Sequence, residues 1–369
     1  MPQPASLNLL ILNLAMDERH TALGHVPAWT NALARHAAHV DVITMLRGPA
    51  ALEPNVHVHS LGKEAGRSEP RRLVTFYRSL HEILSERRID ACFAHMAPLF
   101  AALAAPELKV RRIPLLLWYA HPATPRTLRL AHAAADRVVT STPTAFGLRS
   151  EKVVSVGQGI DTERFRPPDP SPPGRTGTAL SIGRLSPIKG AHDVIDAIGR
   201  LRSDHGRDVR LEVVGGAHTE SDRSYAEGLE RQTAELGVDD LVTFHGEVAH
   251  TEIPEWYRRG ELFLNLSGGA LDKATLESMA SGCIPVSSNP AFAEAVAPHG
   301  LERLVAEPGP SGLARAIDRV LSAPPAERTL LSAEVRALVE RDHGLERLAL
   351  RLMTELEDLA PSTRAPVAA

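Results

Sequence analysis

Residues 267–286 read SGGALDKATLESMASGCIPV. A small, glycine-rich loop runs into a helix that carries one acidic residue, Glu277. The helix stops at Ser281 and Gly282, and a short apolar strand follows at 283–286. Such a loop leaves backbone N–H groups bare at a helix N-terminus, where the dipole is positive, and that place suits a phosphate. A carboxylate further along the same helix suits a pair of sugar hydroxyls. The segment is one unit of an α/β fold and reads as half of a nucleotide-sugar site.

The same alternation extends upstream. Strands are expected at 179–182, 211–214, 242–244 and 262–266, with helices at 192–201, 225–236 and 253–258. Before them, 166–177 (RPPDPSPPGRTG) is dense in proline and glycine, can neither pair in a sheet nor continue a helix, and reads as a linker. The first half repeats the pattern. Strands are expected at 7–14, 40–45, 91–94, 115–119 and 137–141, with helices at 27–36 and 71–87. Strands alternating with helices argue for parallel sheets wound on both faces. The expected architecture is α/β, with two Rossmann-like doubly wound domains, 1–165 and 178–344, facing across a cleft. An amphipathic helix at 345–359 would pack back on the first domain, and the tail 360–369 would be disordered.

Composition fits two soluble domains: 369 residues, 43% hydrophobic, 23% charged. A net charge of −4 gives no reason to expect nucleic acid. No run of 18 apolar residues spans a membrane, and the N-terminus lacks a secretory pattern. Cys92 and Cys283 read as buried hydrophobes in a reducing cytoplasm. None of the 17 histidines stands in a zinc spacing beside cysteine, so neither metal nor cofactor is expected. Helix 71–87 is basic and carries Phe76 and Tyr77. Glu82 and Glu86 interrupt its positive face, so a solvated helix with both aromatics inward is favoured over contact with anionic lipid.

In open parallel sheets ligands bind beyond the carboxyl ends of the strands. The loop GRLSPIKG, after Ile182, offers Gly183 for a tight exit and Arg184 and Lys189 as two cations beside a helix start. That is a diphosphate clamp, although a solvated basic loop looks the same in isolation. The loop after Val214 begins with Gly215, which permits close backbone approach or serves as a plain turn.

SIGRLSPIKG, LEVVGG, VTFHGEV and LESMASGCIPV, in that order and spacing, resemble the donor half of family 4 glycosyltransferases of the GT-B fold. GQGIDTERFRP at 157–167 resembles that family's interdomain segment. The resemblance implies a hexosyltransferase-type enzyme of bacterial kind, without a divalent metal. It would move a sugar from a nucleotide-diphosphate donor, a UDP-sugar by default, to an acceptor hydroxyl with retention of anomeric configuration. By position, Arg184 and Lys189 would hold the diphosphate and Glu277 the ribose hydroxyls. Gly246, Glu247 and Val248 would border the base, and Ala274 would sit in the donor loop. His121, in WYAHP, matches a histidine in the cleft near the donor sugar. His95 is a weaker candidate, and Asp17, Leu23 and Gly24 would line the acceptor side.

One departure from the pattern is clear. The family's second glutamate, eight positions before Glu277, is Gly269 here. Asp272 is the nearest carboxylate, suited to sugar hydroxyls or to capping the helix. Lys273 would add a cation near the phosphates. Partners implied are the nucleotide-sugar donor and a small-molecule, glycan or lipid-linked acceptor, in the cytoplasm, with membrane contact at most peripheral at the inner face. The alternatives are a sugar-nucleotide epimerase or hydrolase on the same fold, or a non-catalytic nucleotide-sugar-binding subunit.

Overall fold

The structure, a computed structural model, describes residues 7–169, 175–266, 268 and 271–360. The chain is α/β and divides into two compact units, Met1–Gly159 with Leu345–Ala369, and Ile160–Gly344. The division falls at Gly159/Ile160, so the described ends of the proline-rich stretch, 166–169 and 175–177, lie within the second unit rather than at its boundary. Arginines tie its flanks down. Arg175 donates to Gly260 O at 2.9 Å and Gly282 O at 2.7 Å, and Arg336 donates to Phe165 O at 3.1 Å. Residues 170–174 and most of the tail, 361–369, lie outside the described residues.

In the first unit, β1 (Asn8–Asn13), β2 (His39–Thr44), β3 (Val56–Ser60), β4 (Ala91–His95), β5 (Leu115–Trp118), β6 (Arg137–Thr140) and β7 (Val153–Ser155) form a parallel sheet. Its order is β3-β2-β1-β4-β5-β6-β7. Helices α1 (Val26–Ala34), α2 (Glu69–Glu86), α3 (Pro98–Val110) and α4 (Arg126–Ala134) cover it. Apart from Asn8 at the start of β1, the central strands β1, β2 and β4 are buried throughout, as continuous apolar runs such as LLIL require when both faces are covered. On α2 only one of the two aromatics turns inward. Phe76 is buried against Phe100, with ring centroids 5.2 Å apart, while Tyr77 is 43% exposed. The buried face of α2 runs through Phe76, Leu80 and Ile83 at helical spacing, and Tyr77 falls outside it.

The second unit holds β8 (Thr178–Ile182), β9 (Arg210–Val214), β10 (Val242–Phe244), β11 (Leu262–Leu264) and β12 (Ile284–Val286), all parallel, in the order β10-β9-β8-β11-β12. Its helices are α5 (Ala191–His205), α6 (Glu220–Glu235), α7 (Ile253–Arg259), α8 (Lys273–Ala280), α9 (Pro290–Val296), α10 (Pro310–Ser322) and α11 (Pro325–Asp342).

The final helix, α12 (Leu345–Leu359), belongs to the first unit. It buries Leu345, Leu348, Ala349, Leu352, Met353 and Leu356 in the core that includes Trp29 and Leu33 of α1. Each buried leucine is worth about 1.5–3 kcal/mol. Gly159, at φ 66°, lets Trp29 and Leu348 close over it, and Trp29 Nε1 donates to its carbonyl at 2.9 Å. The two units thus share the Rossmann-like plan, and each sheet reverses its strand order once, between β1 and β4 in one and between β8 and β11 in the other.

Candidate functional site

A crevice forms beyond the carboxyl ends of parallel strands where the strand order reverses. In the second unit this places the loop after β8, with Arg184 and Lys189, next to the loop that leads from β11 to α8.

Backbone contacts lace the neighbouring loops together. Gly183 N–H donates to Val214 O at 2.9 Å, Leu185 N–H to Gly216 O at 3.0 Å and Gly215 N–H to Gly246 O at 2.8 Å. Gly183 and Gly215 adopt φ of 151° and 152°. A Cβ on Gly215 would lie 1.8 Å from Gly183 O, so glycine there is a requirement of the seam. Gly246, at φ 70°, turns the chain after β10, Glu247 lies against Gly216, and Val248 packs on the unit's core. Arg184 is exposed and makes no ion pair among the described residues.

Asp272 is the N-cap of α8: its Oδ1 accepts the Ala274 N–H at 3.2 Å. Its Oδ2 pairs with Lys189 Nζ and accepts from Asn265 Nδ2 at 3.1 Å. Burial opposes the charge of Asp272, but the Lys189 ammonium and these hydrogen bonds outweigh it and hold the carboxyl below its ordinary range. The carboxylate is therefore committed to Lys189 and to the helix start. Ser267, Gly269 and Ala270 lie outside the described residues.

Glu277 points inward, with 7% of its side chain exposed. Tyr257 OH donates to Ala274 O at 3.1 Å and approaches Glu277 Oε2 at 3.5 Å, and His250 Nε2 lies 3.7 Å from Oε1. Lys273 buries its Nζ near Glu277 and Arg164. Desolvation pushes its pKa down to about 7, against the pull of Glu277. The sequence reading put Lys273 near the phosphates as a further cation; in the structure its Nζ is buried. Arg164 Nη2 donates to His250 O at 2.7 Å, which brings the segment 157–167 to the same cluster. Gly282, at φ 77°, ends α8, its N–H donating to Met279 O at 3.0 Å.

In the first unit, the acceptor-side candidates gather at the corresponding reversal, beyond β1 and β4. Asp17 Oδ1 accepts the Arg19 N–H at 2.9 Å and shapes the loop, and Gly24 N–H donates to His20 O at 2.8 Å. Leu23 is partly buried against the core around Trp29. His95, 4% exposed, ends β4 among Trp29 and Trp118, with ring centroids 4.8 and 6.2 Å away. The next residue, Met96, takes φ 51°, a strained turn for a side-chain-bearing residue. His121 is exposed beyond β5, and its Nδ1 accepts the Ala123 N–H at 3.0 Å, so the neutral ring carries its proton on Nε2.

Sequence reading did not single out Asn265, which it placed inside a strand at 262–266 that ends at Leu264. It read His250 as a surface or loop residue, whereas His250 is buried, and it set the helix ending at Tyr257 beside the base without predicting contact with Glu277. Both cysteines are buried, and burial pushes the Cys283 thiol up to about 12. Among the described residues no group of three or more His, Cys, Asp or Glu side chains is placed to hold a metal ion, and no helix is long and apolar enough to cross a membrane.

Residues 176–323 match the family model described as glycosyl transferases group 1. The chain is 28% identical over 209 residues to D-inositol 3-phosphate glycosyltransferase 2 of Catenulispora acidiphila, a match covering 52% of this chain and 49% of that protein. It spans about half the length of the curated relatives it matches. Sucrose-phosphate synthase from Thermosynechococcus elongatus superposes with a TM-score of 0.73 at 18% identity, over 95% of this chain and 99% of that one. Anabaena Alr3699/HepE, solved in complex with UDP, superposes with a TM-score of 0.72 at 17% identity, over 95% and 100%. The chain therefore has the GT-B fold, two Rossmann-like α/β units, and within it residues 176–323 are similar to the group 1 glycosyl transferases.

Proposed function

We propose that the protein is a retaining glycosyltransferase that takes a sugar from a nucleotide-diphosphate donor, a UDP-sugar by default, and passes it to an acceptor hydroxyl. The observation that carries this reading is the meeting of Lys189 with the start of α8 at the strand-order reversal of the second unit, on the loop that also carries Arg184 and within the stretch matched by the family model. UDP in the complex of Anabaena Alr3699/HepE supports the choice of nucleotide.

In this reading Arg184 and Lys189 bind the diphosphate and neutralise the charge that grows on it as the sugar–phosphate bond breaks. Preorganised charge aimed at a leaving group is usually the largest contribution in such sites. Glu277 accepts hydrogen bonds from the ribose hydroxyls, and Gly246, Glu247 and Val248 border the base. Gly183 and Gly215 let the backbone approach the ligand. His121 presents its Nε2–H to a sugar hydroxyl, and Asp17, Leu23, Gly24 and His95 line the acceptor side. No side chain acts as a covalent nucleophile. The acceptor attacks from the face the phosphate leaves, and the phosphate helps take its proton. No metal or cofactor takes part, and the enzyme works in the cytoplasm.

A second reading, a nucleotide-sugar-binding subunit without turnover, is favoured by Gly269 where a carboxylate was expected and by Asp272 holding Lys189. A thermal-shift screen of UDP, GDP, ADP, TDP and CDP identifies the base, and product analysis with and without acceptor separates transfer, hydrolysis, epimerisation and mere binding. Arg184→Ala and Lys189→Ala each lower turnover by orders of magnitude with the fold intact. Unchanged turnover in the double variant removes the diphosphate assignment.

A further inference from the structure

The Asp272 carboxylate is held by a cation, a side-chain amide and a helix N-terminal N–H, from Lys189, Asn265 and Ala274. That is a set of donors a phosphate oxygen would take. The side chain is 15% exposed and Lys189 33%, so the pair lies within the crevice wall and still borders solvent. Its members come from the loops after β8 and β11, the strands between which the second unit reverses its order.

We propose that Asp272 is a resident anion in the donor's phosphate subsite, and that it sets how tightly this chain holds a nucleoside diphosphate. The proposal rests on the reading of the second unit as a nucleotide-sugar donor domain. A phosphate reaches Lys189 only by displacing Asp272. If it binds beside the pair instead, it meets a neutralised lysine, and Arg184 alone supplies charge from that loop. A fixed negative charge penalises the more anionic ligand more. A free nucleoside diphosphate carries one more charge than the sugar-bearing donor, so Asp272 disfavours the spent nucleotide relative to the donor. Asp272 is thus a specificity residue that lowers product retention. Since its carboxyl stays ionised well into acid, mild acidification does not vacate the subsite.

The test is calorimetric titration of the full chain with UDP, GDP, ADP, TDP and CDP. The proteins are wild type, Asp272→Asn, Lys189→Ala and the double variant. Asparagine caps helices as well as aspartate does, so Asp272→Asn removes charge without removing the cap. Asp272→Ser, also a capping residue, carries the same expectation if the asparagine variant fails to fold. Asp272→Asn is expected to bind the preferred nucleotide at least tenfold more tightly than wild type. Lys189→Ala is expected to cost more in the Asp272→Asn background than in wild type, because there the lysine is released to the phosphate. A folded Asp272→Asn protein that binds no more tightly than wild type overturns the proposal and leaves Asp272 a helix cap. If no nucleotide binds wild type or any variant, the donor-domain reading itself fails, and this inference goes with it.

Discussion

Gly215→Ala is the substitution on which the geometry of the donor loops can be tested most sharply. A Cβ there would stand 1.8 Å from Gly183 O and 2.7 Å from its carbonyl carbon. To reach the 3.0 Å below which real Cβ contacts essentially never occur, the loops after β8 and β9 must part by 3.0 − 1.8 = 1.2 Å. Both neighbours are backbone, so no side chain can swing away. The residue also sits at φ 152°, a conformation that costs a side-chain-bearing residue about 1–3 kcal/mol. Separation strains the two hydrogen bonds between those loops, Gly183 N–H to Val214 O and Leu185 N–H to Gly216 O; losing both costs about 0.5–1.5 kcal/mol each. The sum is about 2–6 kcal/mol, which lowers the melting temperature of a unit this size by roughly 4–24 °C.

The displaced loop carries Arg184, and a misplacement of about 1 Å in a binding loop can cost roughly 100-fold in turnover. Scanning calorimetry and nucleotide titration read both effects. Two controls separate the causes. Gly237→Ala has φ 63° with open space around its Cβ, so it carries strain without a clash. Gly216→Ala meets Glu247 Cβ at 2.8 Å, a clash of a few tenths of an ångström against 1.2 Å at Gly215, and its φ lies outside the left-handed region. Both are expected to cost less than Gly215→Ala. If Gly215→Ala melts no lower than Gly237→Ala and binds nucleotide like wild type, the close approach of the two loops is wrong.

Three further outcomes follow from the site and core. Glu277→Gln removes a charged acceptor, worth about 1.5–3 kcal/mol, so nucleotide binding weakens roughly 10- to 150-fold. The loss should shrink to near zero with a 2′,3′-dideoxynucleotide, and an equal loss for both ligands would deny contact with the ribose hydroxyls. Lys273 titrates at about 7 in the folded chain against an ordinary 10.5. The unfolded chain therefore binds the proton more tightly, so the penalty is complete below pH 7 and is relieved as pH rises toward 10.5. Stability should climb with pH in that window by up to about 1.4 kcal/mol per pH unit. Urea unfolding of Lys273→Met at pH 7.5 and 9 should lack this rise, and parallel slopes in the two proteins would refute the burial of its charge. Leu352→Ala, at a position 1% exposed on α12, should destabilise the first unit by about 2–5 kcal/mol in denaturant unfolding, and a cost under 1 kcal/mol would mean the helix does not seal that core.

What the sequence made legible, and what it did not, divides along physical lines. Runs such as LNLLILNL and the repeated strand–loop–helix order report burial and period, so the paired α/β organisation and the loops after strands were readable before any coordinates. Helix 345–359 was readable to its ends, because its apolar stripe is regular and its function is only to bury it. β3 was not, since VHVHS carries histidines where a strand usually carries hydrophobes, and edge position makes that tolerable. The domain division was misplaced because proline and glycine report the absence of regular structure and not the absence of contacts. Arg175 and Arg336 fasten the irregular stretch to the second unit through carbonyls far away in sequence.

The site shows the same limit. The loops after strands and the family resemblance pointed to Arg184, Lys189, Asp272, Lys273 and Glu277, but the direction of each charge depends on partners that a motif does not contain. Consecutive residues of one helix start go opposite ways: Asp272 turns outward to Lys189 while Lys273 buries its ammonium near Glu277. A sequence motif lists the charges of a site and leaves open which of them already neutralise one another. On the proposed donor reading, that internal pairing would decide the character of the loop, because a lysine held by aspartate presents a phosphate with a competitor before it presents a charge.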